Sequence, residues 1–186
     1  MAVSAAATVT LILVFLASPS SAALETRGEP PWPAPSPARI ATGVHAAGLT
    51  LLTTPGVVVR FAVHLDVVVN GRAVTVPAGI GIDDPAHLIA PLFTTDTSGI
   101  IHVTSGSDAS VFTLGQFFDE WQVRLATGRL GGLRGSRDDP VTVYLDGRRV
   151  TGNPAAIRLT PHLQIAVTYR PGTVRVPAGY TFPGGV

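Results

Sequence analysis

Residues 57–76 read VVVRFAVHLDVVVNGRAVTV, and this stretch decides the fold. Its first thirteen residues are rich in valine, a residue that suits a pleated, half-buried surface. Asn70-Gly71 then supplies two residues tolerant of positive φ, as a two-residue hairpin turn requires, and Arg72 to Val76 leads back. With a period of two, Phe61, Val63, Leu65, Val67 and Val69 share one face, predicted to be the core face. Arg60, His64, Asp66 and Val68 share the other.

Beyond this hairpin, residues 80–99, IGIDDPAHLIAPLFTTDTSG, read mostly as loop. IIHVT at 100–104 is a short strand with Ile101 and Val103 opposite His102. Thr113 and Gln116 make a capping box, and Leu114, Phe117, Phe118, Trp121 and Leu125 recur at helical spacing. The predicted helix closes at Gly128, with Asp119 and Glu120 toward solvent, and a Gly/Arg-rich surface loop follows to Asp139. Val141 to Val150, turning at Asp146-Gly147, repeats the hairpin signature, and residues 163–169 form a last strand. The order predicts an α+β domain of the β-grasp (ubiquitin-like) plan, a mixed sheet of two hairpins plus a further strand packed by a single helix. The similarity of the hairpins is what this turn type demands, so it does not argue duplication.

Toward the N-terminus the chain changes character. Residues 2–23 carry no charge, 9–17 have the length of a signal-peptide apolar region, and Ser20 and Ala22 satisfy the small-x-small cleavage rule. A cleaved signal is expected, with an uncleaved anchor as the competing reading. Either places the bulk of the chain outside the cytoplasm, secreted or associated with the cell envelope. EPPWPAPSPAR at 29–39 has five prolines in eleven residues and reads as an extended spacer. The expected layout is a signal peptide at 1–23, a Pro-rich linker at 24–56, the domain at 57–170 and a Pro/Gly-rich tail, loop or strap, at 171–186.

Charged residues are 13% and the net charge is +1, which argues against a nucleic-acid binder, a class that needs a concentrated basic face. The absence of cysteine removes disulfides, thiolate metal sites, cysteine nucleophiles and lipidated-cysteine anchors. No phosphate-binding loop or dinucleotide fingerprint is present, so no nucleotide cofactor is implied.

VNGRAVTVPAGIGID, DTSGIIHV, TLGQFFDEW and VYLDGRRV in this order resemble a family of exported bacterial and archaeal proteins with no established function. The resemblance covers residues 61–169. It implies a histidine-rich strand before the first hairpin and an LHTHD motif before SGIIHV, a cluster that looks like a metal site. This chain departs from that pattern, with Phe93 and Thr95 in LFTTD and Ala62 in place of a strand histidine. His64, Asp96 and His102 remain. The helix and second hairpin also look like small β-grasp modules that bind soluble ligands, an analogy of fold alone.

Residue by residue, His64 and Asp66 project from one face of a strand, His102 projects from the next, and Asp96 precedes it in the loop. Converged, these four could hold Cu²⁺ or Zn²⁺, with imidazole as the main ligand. The plainer alternative is two half-exposed strand histidines. Ser98, His102 and Asp96 lack a nucleophile elbow, and Asp83-Asp84 and Asp138-Asp139 read as turn residues, so a hydrolase is disfavoured. Arg124, Arg129, Arg134 and Arg137 form a basic patch suited to anionic lipid or cell-wall polymer, or simply a solvated loop. The expectation is a monomeric, non-catalytic binding module of the envelope, its partner an envelope protein or small ligand. Its binding surface would be the outer sheet face or the loop at 83–98. It would touch the membrane only through an uncleaved N-terminus. An extracytoplasmic metal-binding protein is the alternative.

Overall fold

The computed structural model describes residues 28–184, so the expected signal segment lies outside the described residues. Helix α1 spans Pro37–Ala46, and strands β1 and β2 span Val59–Val69 and Arg72–Val74. Short strands β3, β4 and β5 follow at Ile82–Asp83, Leu88–Ile89 and Leu92–Phe93, then β6 at Ile100–Ser105 and helix α2 at Leu114–Trp121. Strands β7, β8 and β9 are Leu125–Ala126, Arg129–Leu130 and Leu133–Arg134. Strands β10 and β11 are Val141–Leu145 and Arg148–Val150; a 3-10 turn at Pro154–Ala156 precedes β12 at Gln164–Tyr169.

The main sheet runs β11-β10-β12-β1-β6-β5, with β1 and β12 parallel and the other pairings antiparallel. The far edge of β1 is shared, with β6 alongside Val59–His64 and β2 alongside Val67–Val69. Both hairpins turn where the sequence places them, at Asn70-Gly71 and Asp146-Gly147, each residue with positive φ. Val63, Leu65, Val67 and Val69 of β1 pack with Ile101, Val103, Ile165 and Val167 against α2. Leu114, Phe117, Phe118 and Trp121 of that helix are fully buried. The capping box forms, with Thr113 Oγ1 accepting from Gln116 N and Gln116 Oε1 accepting from Thr113 N.

Several expectations are corrected. The fold is mixed α+β, but it has a second helix, because the stretch expected as spacer packs into the body. Trp32 is buried edge-on against Trp121 at 5.9 Å, and Trp121 Nε1 donates to Trp32 O at 3.1 Å. Helix α1 then lies on α2, with Gln116 Nε2 donating to Ala47 O and Gln122 Nε2 to Arg39 O. That second layer is why Glu120, expected in solvent, is 1% exposed. Helix α2 ends at Trp121, where Gln122 turns left-handed with φ 60°, so Leu125 is buried from a strand instead. The Gly/Arg-rich stretch is a three-stranded meander whose Leu125, Leu130 and Leu133 enter the core. The loop at 80–99 is pinned by the β3–β4 and β5–β6 pairings, and β1 begins at Val59, leaving Val57 and Val58 exposed.

Candidate functional site

The outer face of the sheet is where the candidate residues lie. In-register parallel pairing sets His64 of β1 beside Gln164 of β12 and Asp66 beside Ala166. Gln164 is 1% exposed and links its neighbours. Its Nε2 donates to Asp66 Oδ2 at 2.8 Å, while its Oε1 lies 2.9 Å from His64 Nδ1. Asp66 Oδ2 is itself 3.7 Å from His64 Nδ1. On the other side His64 Nε2 donates to Ser98 O at 2.8 Å. Gly99, φ 86°, makes that approach possible: a Cβ there would sit 3.1 Å from His64 Nε2 and 2.6 Å from Leu65 O. Asp146 Oδ1 accepts from Gln164 N, tying the second hairpin turn to the same group.

The C-terminal segment covers this cluster. After β12 the chain folds back, Ala178 packing against Gly147, and the Tyr180 ring stacks on His64 with centroids 3.7 Å apart and planes 8° apart. Phe182 meets both Tyr180 and His162 at 5.0 Å. His64 is therefore buried rather than half-exposed as expected, with both ring nitrogens engaged by protein atoms.

His102 belongs to a separate group. Its Cα partners are Ala62 and Phe93, its ring stacks on Phe93 at 5.1 Å, and its Nε2 lies 3.3 Å from Thr95 Oγ1. Burial holds His102 below the ordinary imidazole value, opposed in part by the charge of Asp96. Asp96 is held below the usual carboxylate range, first by hydrogen bonds from Ser98 and then by His102. Ala62, Phe93 and Thr95, the positions where the resemblance implies histidines, thus all surround His102. Here an alanine, a stacked phenylalanine and a hydroxyl stand there instead. The four residues expected to hold a metal fall into two pairs, His64 with Asp66 and His102 with Asp96. Among the described residues no group of three or more His, Cys, Asp or Glu side chains could hold an ion.

Two grooves flank the hairpin. One of about 200 Å³ opens beside Asp66, between β2 and residues 97–99, where the edge of β1 away from β12 lacks a strand neighbour. The other, about 510 Å³, lies between residues 29–31 and residues 69–75, and its charged groups are Glu29 and Arg72. The first is smaller than a typical small-molecule pocket.

Sequence reading overlooked Gln164 and Tyr180. Gln164 appeared only as the polar phase of a strand. The visible signal for the tail was Tyr180 and Phe182 two residues apart, the spacing of an extended chain laying alternate side chains on one surface. Searches of family models, curated proteins and solved structures return no match to this chain.

Proposed function

We propose that this chain is an exported, non-catalytic binding module of the cell envelope, β-grasp-like in plan. Its outer sheet face would take an extended, aromatic-bearing segment of a partner protein. The observation that carries this reading is Tyr180 stacked on His64: the face already holds such a segment, supplied by the chain itself. The strand order β2-β1-β12-β10-β11 about a parallel central pair, with α2 across one face, supports the β-grasp assignment. The uncharged N-terminus and the resemblance to exported proteins support the location. The domain works as a monomer, with neither nucleic acid nor metal in its role. The engaged ring nitrogens of His64 argue for a recognition platform over a metal ligand or a proton-transfer catalyst.

The test uses the full chain carrying Tyr180→Ala and Phe182→Ala, titrated with a synthetic peptide of residues 174–184, VRVPAGYTFPG. Saturable NMR shifts at His64 and Gln164, absent with a peptide lacking the tyrosine ring, are expected. A peptide that moves neither signal would overturn the reading.

A further inference from the structure

The meander β7–β9 presents a row of arginines on its outer side. Its pairings set Leu125 against Leu130 and Leu130 against Leu133 on the inner side, and Ala126, Arg129 and Arg134 in register on the outer side. Arg124, one residue before Leu125, shares the outer phase. Arg124 and Arg134 are exposed and Arg129 half-buried, and none of the three has an ion-pair partner among the described residues. Like charges directly opposite across a strand pair destabilise it. Arg129 registers that crowding: loss of solvent, then Arg134 and Arg124, push its guanidinium below the ordinary value.

A second, independent observation concerns where the N-terminal segment enters. Gly132 N donates to Gly28 O at 3.0 Å, and the Trp32 indole lies against Gly131, where a Cβ would sit 2.6 Å from Cζ2. Residues 131 and 132 are the turn between β8 and β9, the strands that carry Arg129 and Arg134. The chain between Ala17, the end of the apolar run, and Gly28 can reach at most about 40 Å. Gly28, where the described chain begins, therefore lies beside the turn that joins the two arginine-bearing strands.

We infer that Arg124, Arg129 and Arg134 form a docking face for an anionic phospholipid bilayer, acting together with the apolar segment at 9–17. Stable membrane attachment generally needs two weak signals, an apolar one and a basic one. A short tether holds the second at millimolar effective concentration. Near an anionic surface each arginine contributes about fivefold in partitioning. The inference rests on the envelope reading above, in its form with the apolar segment retained, but not on the peptide site, which a separate titration tests.

Because the chain lacks cysteine, Thr127→Cys in the exposed β7–β8 turn gives a unique site for a polarity-sensitive fluorophore. The labelled full chain is reconstituted into phosphatidylcholine vesicles with and without phosphatidylglycerol. Protection from aqueous acrylamide only with phosphatidylglycerol is expected, and it should be lost at about 1 M salt, where screening acts within about 3 Å. Arg129→Gln with Arg134→Gln should weaken that protection more than tenfold while far-ultraviolet dichroism stays unchanged. Equal quenching in both vesicle types, or protection indifferent to salt, would overturn the docking face. The salt arm needs no variant, so a folding defect could not mimic it. Fractionation of cells judges the envelope reading separately.

Discussion

Glu120 shows how far one residue can depart from its helical pattern. On α2 it sits off the apolar stripe, yet α1 and the backbone at Gly81 close over it, and neither carboxylate oxygen has a hydrogen-bond partner among the described residues. Burial, reinforced by the adjacent charge of Asp119, pushes its carboxyl well above the usual range, and burial pushes Asp119 up to about 6. A carboxyl whose value is raised in the fold binds its proton more tightly there than in the unfolded chain. Its stabilising effect is therefore complete below the unfolded value of 4.5 and is lost as pH rises toward the folded value. Asp119 acts in the same sense between 3.8 and about 6. Urea midpoints should fall as pH rises above 4.5. Glu120→Gln, which removes the titrating group, should flatten that fall and raise the urea midpoint of the neutral protein above the parent's. A variant with the parent's pH profile would show that Glu120 does not set it.

At the scale of elements, the contact of α1 with α2 turns on Gly43. A glycine inside a helix costs about 1 kcal/mol relative to alanine, so propensity alone predicts that Gly43→Ala stabilises. Packing predicts the reverse. A Cβ there would lie 2.7 Å from Glu120 O and 3.1 Å from Asp119 O, both backbone atoms that cannot move without shifting α2. Overpacking of this kind costs about 1–3 kcal/mol, so the net effect should be destabilising, with faster amide exchange across α1. A rise in the denaturation midpoint would mean that the helices part without penalty. The hairpin turns, by contrast, were legible, because two adjacent residues with positive φ and flanking valines leave few other structures open, although the first hairpin's strands are two residues shorter at each outer end than expected. The meander β7–β9 was not, since its two-residue strands carry too little periodicity to register.

At the scale of the whole molecule, the N-terminal segment and the sheet share one core. Trp32 and Trp121 report on each other, one from the expected spacer and one from α2. Their fluorescence and the far-ultraviolet dichroism should follow a single coincident transition in urea. Trp32→Ala should lower stability by about 3–5 kcal/mol, as truncation of a fully buried tryptophan does. An earlier fluorescence transition would show residues 28–56 docking independently. The sequence by itself determined what depends on near neighbours: the two turns, the start of the capped helix, the faces that β1, β6 and β12 turn toward α2, and the mixed α+β class. Only the tertiary structure decided what approaches from a distance. Proline-rich composition could not reveal that Trp32 has a buried slot against Trp121. The alternation of β1 and β12 placed His64 and Gln164 on outward phases but could not show that parallel pairing sets them side by side beneath Tyr180. Such contacts join residues about a hundred positions apart, and their energy depends on which surfaces remain to be covered once the local elements have formed.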